Sequence, residues 1–243
     1  MFSPQKIKVA VATYTNTIPF LTGLRDSIAL HAAAEFIMDY PSACAERVIR
    51  GEADLGIIPI QALLDIPNYS IVSDYCIGSD GAVDSVFIFS DVPIEQVKVL
   101  RLDMQSKTSN GLARILLKYF WRQSVDVVMA GEADAHVLIG DRTFGQKNSH
   151  AYVYDLGACW KEFTGLPFAF AVWAANKELP ESFLKDFNIA LGMGVSQINR
   201  VIASLPEVDN FDYDDYLRNK LNFDLTDQKR QAIDRYLELY RTL

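Results

Sequence analysis

The chain has 243 residues, half of them apolar, and a formal net charge of −8. That apolar share fills a well-buried core, in one large domain or two small ones, and argues against disorder. The acidic balance argues against nucleic-acid binding, which needs clustered Lys and Arg against phosphates. In chain order, Ile7 to Ala12 reads as a strand and Thr17 to Leu24 as a helix; strand Glu35 to Met38 and helix Ala43 to Arg50 follow. Strands are expected over Leu55 to Ile60, Ser85 to Phe89 and Val97 to Leu102, then a helix over Thr108 to Trp121. Strands at Val125 to Met129, Val137 to Ile139 and Tyr152 to Leu156 precede a helix at Gly157 to Phe163. Strand Phe168 to Ala174 and helices Glu181 to Ala203 and Thr226 to Arg241 complete the chain. Short β-branched runs alternating with amphipathic stretches predict an α/β fold with mostly parallel strands.

An internal echo divides this pattern. Gly51-Glu52-Ala53-Asp54 leads into one expected strand, and Gly131-Glu132-Ala133-Asp134 leads into another. Four matched residues can arise by chance; otherwise they mark two similarly built lobes with a ligand cleft between them. Under that reading lobe one comprises residues 1–90 and 180–243 and lobe two residues 91–179, with crossings near Ser90 to Pro93 and Asn176 to Pro180.

Several classes of chemistry lack their residues. Cys44, Cys76 and Cys159 are an odd number without a C-x-x-C pair, so they read as reduced thiols, mostly buried. His31, His136 and His150 have no metal-ligand spacing and read as structural, and no phosphate loop or dinucleotide fingerprint appears. The acidic stretch Glu207 to Asp215 reads as a solvated loop and helix start. No run of about 18 apolar residues occurs, and Met1 to Lys8 does not resemble a signal sequence, so a cytoplasmic location is expected.

Two segments between a strand and a helix draw attention. Thr13 to Phe20 offers Asn16 and Thr17 as caps and Pro19 in the first helical turn. Asp103 to Gly111 sets Ser106 and Ser109 three apart across a helix start, beside Thr108. Each is explained equally well by a plain capped helix or by a carboxylate cradle built from N–H groups and hydroxyls. A pair of them, one per lobe, suits a dicarboxylate bridging the cleft. Gly81 to Val86 leads into a strand and leaves Ser85 at a lobe edge, without the G-x-S-x-G elbow of a serine hydrolase. Gly140 and Asp141 end a strand, where a carboxylate contacts ligand or fixes the loop. Phe168, in the apolar run Gly165 to Trp173, belongs either to the wall of a ring pocket or to a buried strand.

Six blocks taken in order resemble the chorismate dehydratases of the futalosine route to menaquinone. They are T-N-T-I-P-F at Thr15 to Phe20, G-E-A-D-L-G-I-I-P at Gly51 to Pro59, C-I-G-S-D-G-A-V-D-S-V at Cys76 to Val86, L-D-M-Q-S-K-T-S at Leu102 to Ser109, L-I-G-D at Leu138 to Asp141, and Y-D-L-G-A-C-W-K-E-F-T-G-L-P-F-A-F-A-V-W at Tyr154 to Trp173. Beyond Leu191 only a similar run of helices remains. The resemblance implies a two-lobed type II periplasmic-binding-protein fold, no cofactor, and loss of water from chorismate to give 3-[(1-carboxyvinyl)oxy]benzoate. It also implies that Asn16 and Ser85 sit at the reacting ring and that Ser106, Thr108 and Ser109 hold a carboxylate. Thr13 and Lys107 stand where the family usually has serine and arginine, so a ligand salt bridge at Lys107 is not expected. The expected partner is a small dicarboxylate, with neither nucleic acid nor membrane; oligomeric state is not legible. The competing functions are a non-catalytic anion-binding protein on the same fold and the sister enzyme that forms dihydroxynaphthoate; the G-x-V-x-S-V and S-x-T-S blocks together fit the dehydratase better.

Overall fold

The computed structural model describes residues 6–243. The stretch examined for a signal sequence therefore lies largely outside the described residues. Strands β1 (Ile7–Ala12), β2 (Ala34–Asp39), β3 (Leu55–Pro59), β4 (Ser70–Ser79), β10 (Phe168–Ala175) and β11 (Asn222–Asp224) form a six-stranded sheet in the order β11-β4-β10-β3-β1-β2. Strands β5 (Val86–Ser90), β6 (Val99–Arg101), β7 (Asp126–Val128), β8 (Ala135–Ile139) and β9 (Tyr152–Asp155) form a second sheet in the order β7-β6-β8-β5-β9. The helices are α1 (Ile18–Asp26), α2 (Ile28–Ala33), α3 (Pro41–Ile49), α4 (Lys107–Ile115), α5 (Leu156–Thr164), α6 (Glu181–Ser196), α7 (Ile198–Ile202), α8 (Tyr213–Asp215) and α9 (Asp227–Tyr240).

The sheets carry the same plan. In the first, β1 lies between β2 and β3 and runs parallel to both; in the second, β6 lies likewise between β7 and β8. The repeated G-E-A-D segments do the same work in each lobe. Gly51 and Gly131 take positive φ values of 70° and 102°, which a side chain resists. Asp54 then accepts from the Lys8 N–H at 2.9 Å, and Asp134 accepts from the Lys98 and Val99 N–H groups at 2.9 Å each. The echo is thus a structural repeat, and the loops after β1 and β6 are equivalent.

Two expectations need correction. The sheets are mixed: β10 pairs antiparallel with both β3 and β4, and β5 pairs antiparallel with both β8 and β9. These returning strands also move the crossings. Because β5 belongs to the second sheet and β10 to the first, the chain passes between lobes in residues 80–85 and 165–167, not near Ser90 to Pro93 and Asn176 to Pro180. Asp155 pins the first crossing by accepting from Val83 and Asp84 N–H groups, while also capping α5 at Ala158 N. The second follows a turn at Gly165, whose φ of 74° ends α5.

The C-terminal helices return to the first lobe. Gly23 of α1 and Gly194 of α6 let these helices nearly touch: a Cβ at Gly23 would lie 1.8 Å from the Ala190 carbonyl oxygen. Helix α9 packs against β10 and against α4, so it braces the element that begins the second lobe's main loop.

Candidate active site

Parallel strands direct their carboxyl ends, and the helices that follow them, at one edge of a sheet; here two such edges face each other. From the first lobe come a helical turn at Thr15–Thr17 and the start of α1. Thr17 folds its hydroxyl back onto the Ala12 and Tyr14 carbonyls at 2.6 and 2.7 Å, which leaves Asn16 as the free polar side chain. From the second lobe comes the start of α4. Ser106 caps it, accepting from Ser109 N at 3.1 Å, and the two serine hydroxyls are 2.9 Å apart. The first-turn N–H groups of Lys107 and Thr108 have no acceptor within the helix, as at any helix start.

Between these edges lies a cleft with about 560 Å³ of atom-free space, part of it open to solvent. Asn16, Thr17, Ser85, Ser106, Ser109 and Gly140 line it, together with the apolar walls Ile57, Ile77, Ile139 and Phe170. Among the described residues no charged side chain lines it. Lys107 reaches Asp65 instead, at 3.8 Å, and Arg142 pairs with Asp103 at 2.7 Å on the second lobe. An anion here is met by helix N–H groups, hydroxyls and an amide, which provide directed donors without a cation.

Four expected site residues stand elsewhere. Thr108 turns its hydroxyl to accept from Gln61 N at 3.2 Å, fastening α4 to the first lobe. Asp141 sits at the rim and accepts from the Thr15 N–H at 3.1 Å and the Thr15 hydroxyl at 2.9 Å. It fixes loops across the lobes. Neighbouring protein pushes its pKa up, and the Thr15 bonds oppose that rise. Gly81 belongs to the crossing segment, with φ at 103°, and receives the Ser79 hydroxyl on its carbonyl at 2.9 Å. Phe168 is core, 5.1 Å from the Trp160 ring and 4.7 Å from Phe170. Phe170, two residues on along the same strand face, reaches the cleft in its place.

Two further contributors were not singled out from sequence. Tyr14 lines the cleft and donates its hydroxyl to Gln105 across the lobes; burial raises its pKa above the usual tyrosine value, with Arg142 opposing. Its ring lies where a Cβ at Gly140 would come within 3.0 Å, so Gly140 is required both by this approach and by its φ of 65°. Tyr216, fully buried, donates to Ser85 Oγ at 2.9 Å. Tyr14 lay inside the Thr13 to Phe20 segment, but Tyr216 lies between the helices expected from sequence, in a stretch with no motif. Among the described residues no group of three His, Cys, Asp or Glu side chains is arranged to hold a metal ion.

A family model described as menaquinone biosynthesis matches residues 7–242. The chain belongs to that menaquinone-biosynthesis family. A Thermus thermophilus protein named chorismate dehydratase is 26% identical over 164 residues, 58% of this chain and 60% of the relative, so the chain spans about three-fifths of that protein's length. A protein of Archaeoglobus fulgidus superposes with a TM-score of 0.71 at 16% identity, covering 99% of this chain and 98% of the other. A Candida albicans protein whose title describes the generic periplasmic binding protein fold superposes at 0.61 with 13% identity, covering 98% and 91%. The fold of this family member is therefore the two-lobed periplasmic-binding-protein fold, with the ligand cleft between lobes. Among the described residues no helix is long and apolar enough to cross a membrane.

Proposed function

We propose that this chain is a lyase of the futalosine route to menaquinone, removing water from chorismate to give 3-[(1-carboxyvinyl)oxy]benzoate. The observation that carries the reading is the shared cleft: Asn16 and Ser85 line it with Ser106 and Ser109, and no charged side chain among the described residues does. Family membership and the name of the Thermus thermophilus relative support it.

Chorismate carries two carboxylates and a proton at carbon 3 that the ring carboxylate acidifies through the diene. When that proton leaves, its electron pair delocalises onto the ring carboxylate and then expels the neighbouring carbon 4 hydroxyl, giving an aromatic ring and one water. The step is redox-neutral and needs no external electrons. The protein's task is position and stabilisation of the delocalised anion. In this proposal the α4 start receives the ring carboxylate through its N–H groups and serine hydroxyls, while Asn16 and Ser85 orient the leaving hydroxyl or the enolpyruvyl carboxylate. Among the described residues the only titratable side chain lining the cleft is Tyr14, whose pKa burial raises above the usual tyrosine value, so none serves as a strong base. The substrate's own enolpyruvyl carboxylate is the proton acceptor. The flat apolar walls, Phe170 and the isoleucines, suit the forming aromatic ring.

Incubating the purified protein with chorismate, following loss of the diene absorbance and identifying the product by mass spectrometry, tests the reading. Conversion to the enolpyruvyl benzoate is expected. Binding with the diene left intact would instead assign a solute-binding role, the use made of this architecture by many of its structural neighbours.

A further inference from the structure

Ser85, which lines the cleft, is bonded to a side chain outside the cleft lining. Tyr216 opens the helical turn Tyr216–Lys220 near the C-terminus and is 1% exposed. Its hydroxyl donates to Ser85 Oγ at 2.9 Å. Its ring is held against Phe144 and Phe211, each with centroids 5.3 Å away, so packing sets where the hydroxyl sits.

A serine hydroxyl has one proton to give and two lone pairs to offer. Tyr216 takes up one lone pair, and the nearest protein acceptor for the Ser85 proton, the Val83 carbonyl, is at 3.5 Å, the outer limit of a hydrogen bond. The Ser85 proton is thereby left for an acceptor in the cleft. We propose that Tyr216 is a positioning residue that polarises Ser85 and commits it to donating to an anionic oxygen of the bound ligand. Burial pushes the Tyr216 pKa far above the usual tyrosine value, so it remains a donor throughout the working pH range. Without that donor, Ser85 is free to turn a lone pair toward the ligand, which repels an anion.

The inference rests on the dehydratase reading, and a double-mutant cycle separates the two. Tyr216→Phe removes one oxygen and keeps the ring packing. With chorismate as substrate, Tyr216→Phe is expected to lower kcat by about 10-fold with KM changed by less than about twofold, since the donor matters most where charge develops. In a Ser85→Ala background the same substitution is expected to change kcat by less than about twofold, because the group it acts through is gone. Equal losses in both backgrounds, or no loss in the wild-type background, would overturn the positioning role. A wild-type protein that leaves chorismate unchanged would overturn the dehydratase reading and this inference with it. Thermal melts of all four proteins, each folded at the assay temperature, complete the measurement.

Discussion

Gly111 lies in the middle of α4, the helix that presents Ser106 and Ser109 to the cleft. Replacing a mid-helix glycine by alanine ordinarily stabilises a protein by about 0.5–1 kcal/mol, through lost freedom in the unfolded chain. Here the added methyl would lie 2.2 Å from the Tyr236 hydroxyl oxygen and 2.7 Å from two Tyr240 ring carbons. Neither ring can simply swing away. Tyr236 is fully buried, its hydroxyl is tied to the Thr108 carbonyl at 3.0 Å, and its ring stacks on Tyr240. Overpacking of this kind costs about 1–3 kcal/mol, which exceeds the helix gain over most of that range and leaves a net loss of up to about 2.5 kcal/mol. For a chain of this size each kcal/mol lost lowers Tm by about 2–4 °C. Helix α4 must also retreat from α9, so the Ser106 end shifts and, under the proposed function, KM for chorismate is expected to rise. Thermal unfolding of Gly111→Ala checks the first consequence and steady-state kinetics the second. A raised Tm would refute the packing argument.

Three further outcomes follow from the same geometry. Ser106→Ala removes the α4 cap and costs about 1 kcal/mol in thermal unfolding, while weakening dicarboxylate binding measured by calorimetry; Lys118→Ala, a surface change, alters neither. Asp141→Ala strips the Thr15 N–H and hydroxyl of their acceptor across the lobes, so small-angle scattering should report a more open particle and ligand affinity should fall by about 10-fold, in keeping with roughly 1–2 kcal/mol for such bonds. Burial holds the thiols of Cys44, Cys76 and Cys159 at about 12, 11 and 12, against an ordinary 9.0. The folded chain therefore keeps protons that the unfolded chain releases, and stability falls as pH climbs from about 9 toward 11. Thiol reagents at pH 8 should label Cys44 and Cys76 only on unfolding; prompt labelling of the native protein would contradict the burial.

The parts of the fold written in local pattern were legible, and those set by long-range pairing were not. β1, β3 and β8 are short β-branched runs and appear within a few residues of their expected bounds. The repeated Gly-Glu-Ala-Asp segment pointed to two lobes because its aspartate does the same backbone bonding in each. Strand β4 escaped notice: Ser70, Ser73 and Asp74 break its apolar run, and its pairing with β10 and β11 comes from residues about 100 to 150 positions away. The direction of β5 and β10, and with it the lobe boundary, is likewise a matter of partner rather than of composition. At the site, Asn16 and Ser106 were visible because helix starts have a local signature. Thr108 and Asp141 carry the same signature, yet Gln61 and Thr15 claim their polar groups. Tyr216 has no local mark at all; only the fold brings it beside Ser85.

Under the proposed function a dicarboxylate lies between the starts of α1 and α4, gripped by neutral donors. A crystal structure of the protein with 3-[(1-carboxyvinyl)oxy]benzoate tests it most directly. One carboxylate is expected on the Ser106 to Ser109 turn, the ring against Phe170, and the second carboxylate within reach of Asn16 and Ser85. The ligand seated outside this cleft, or with its carboxylates directed at Lys107 or Arg142 instead, would contradict it.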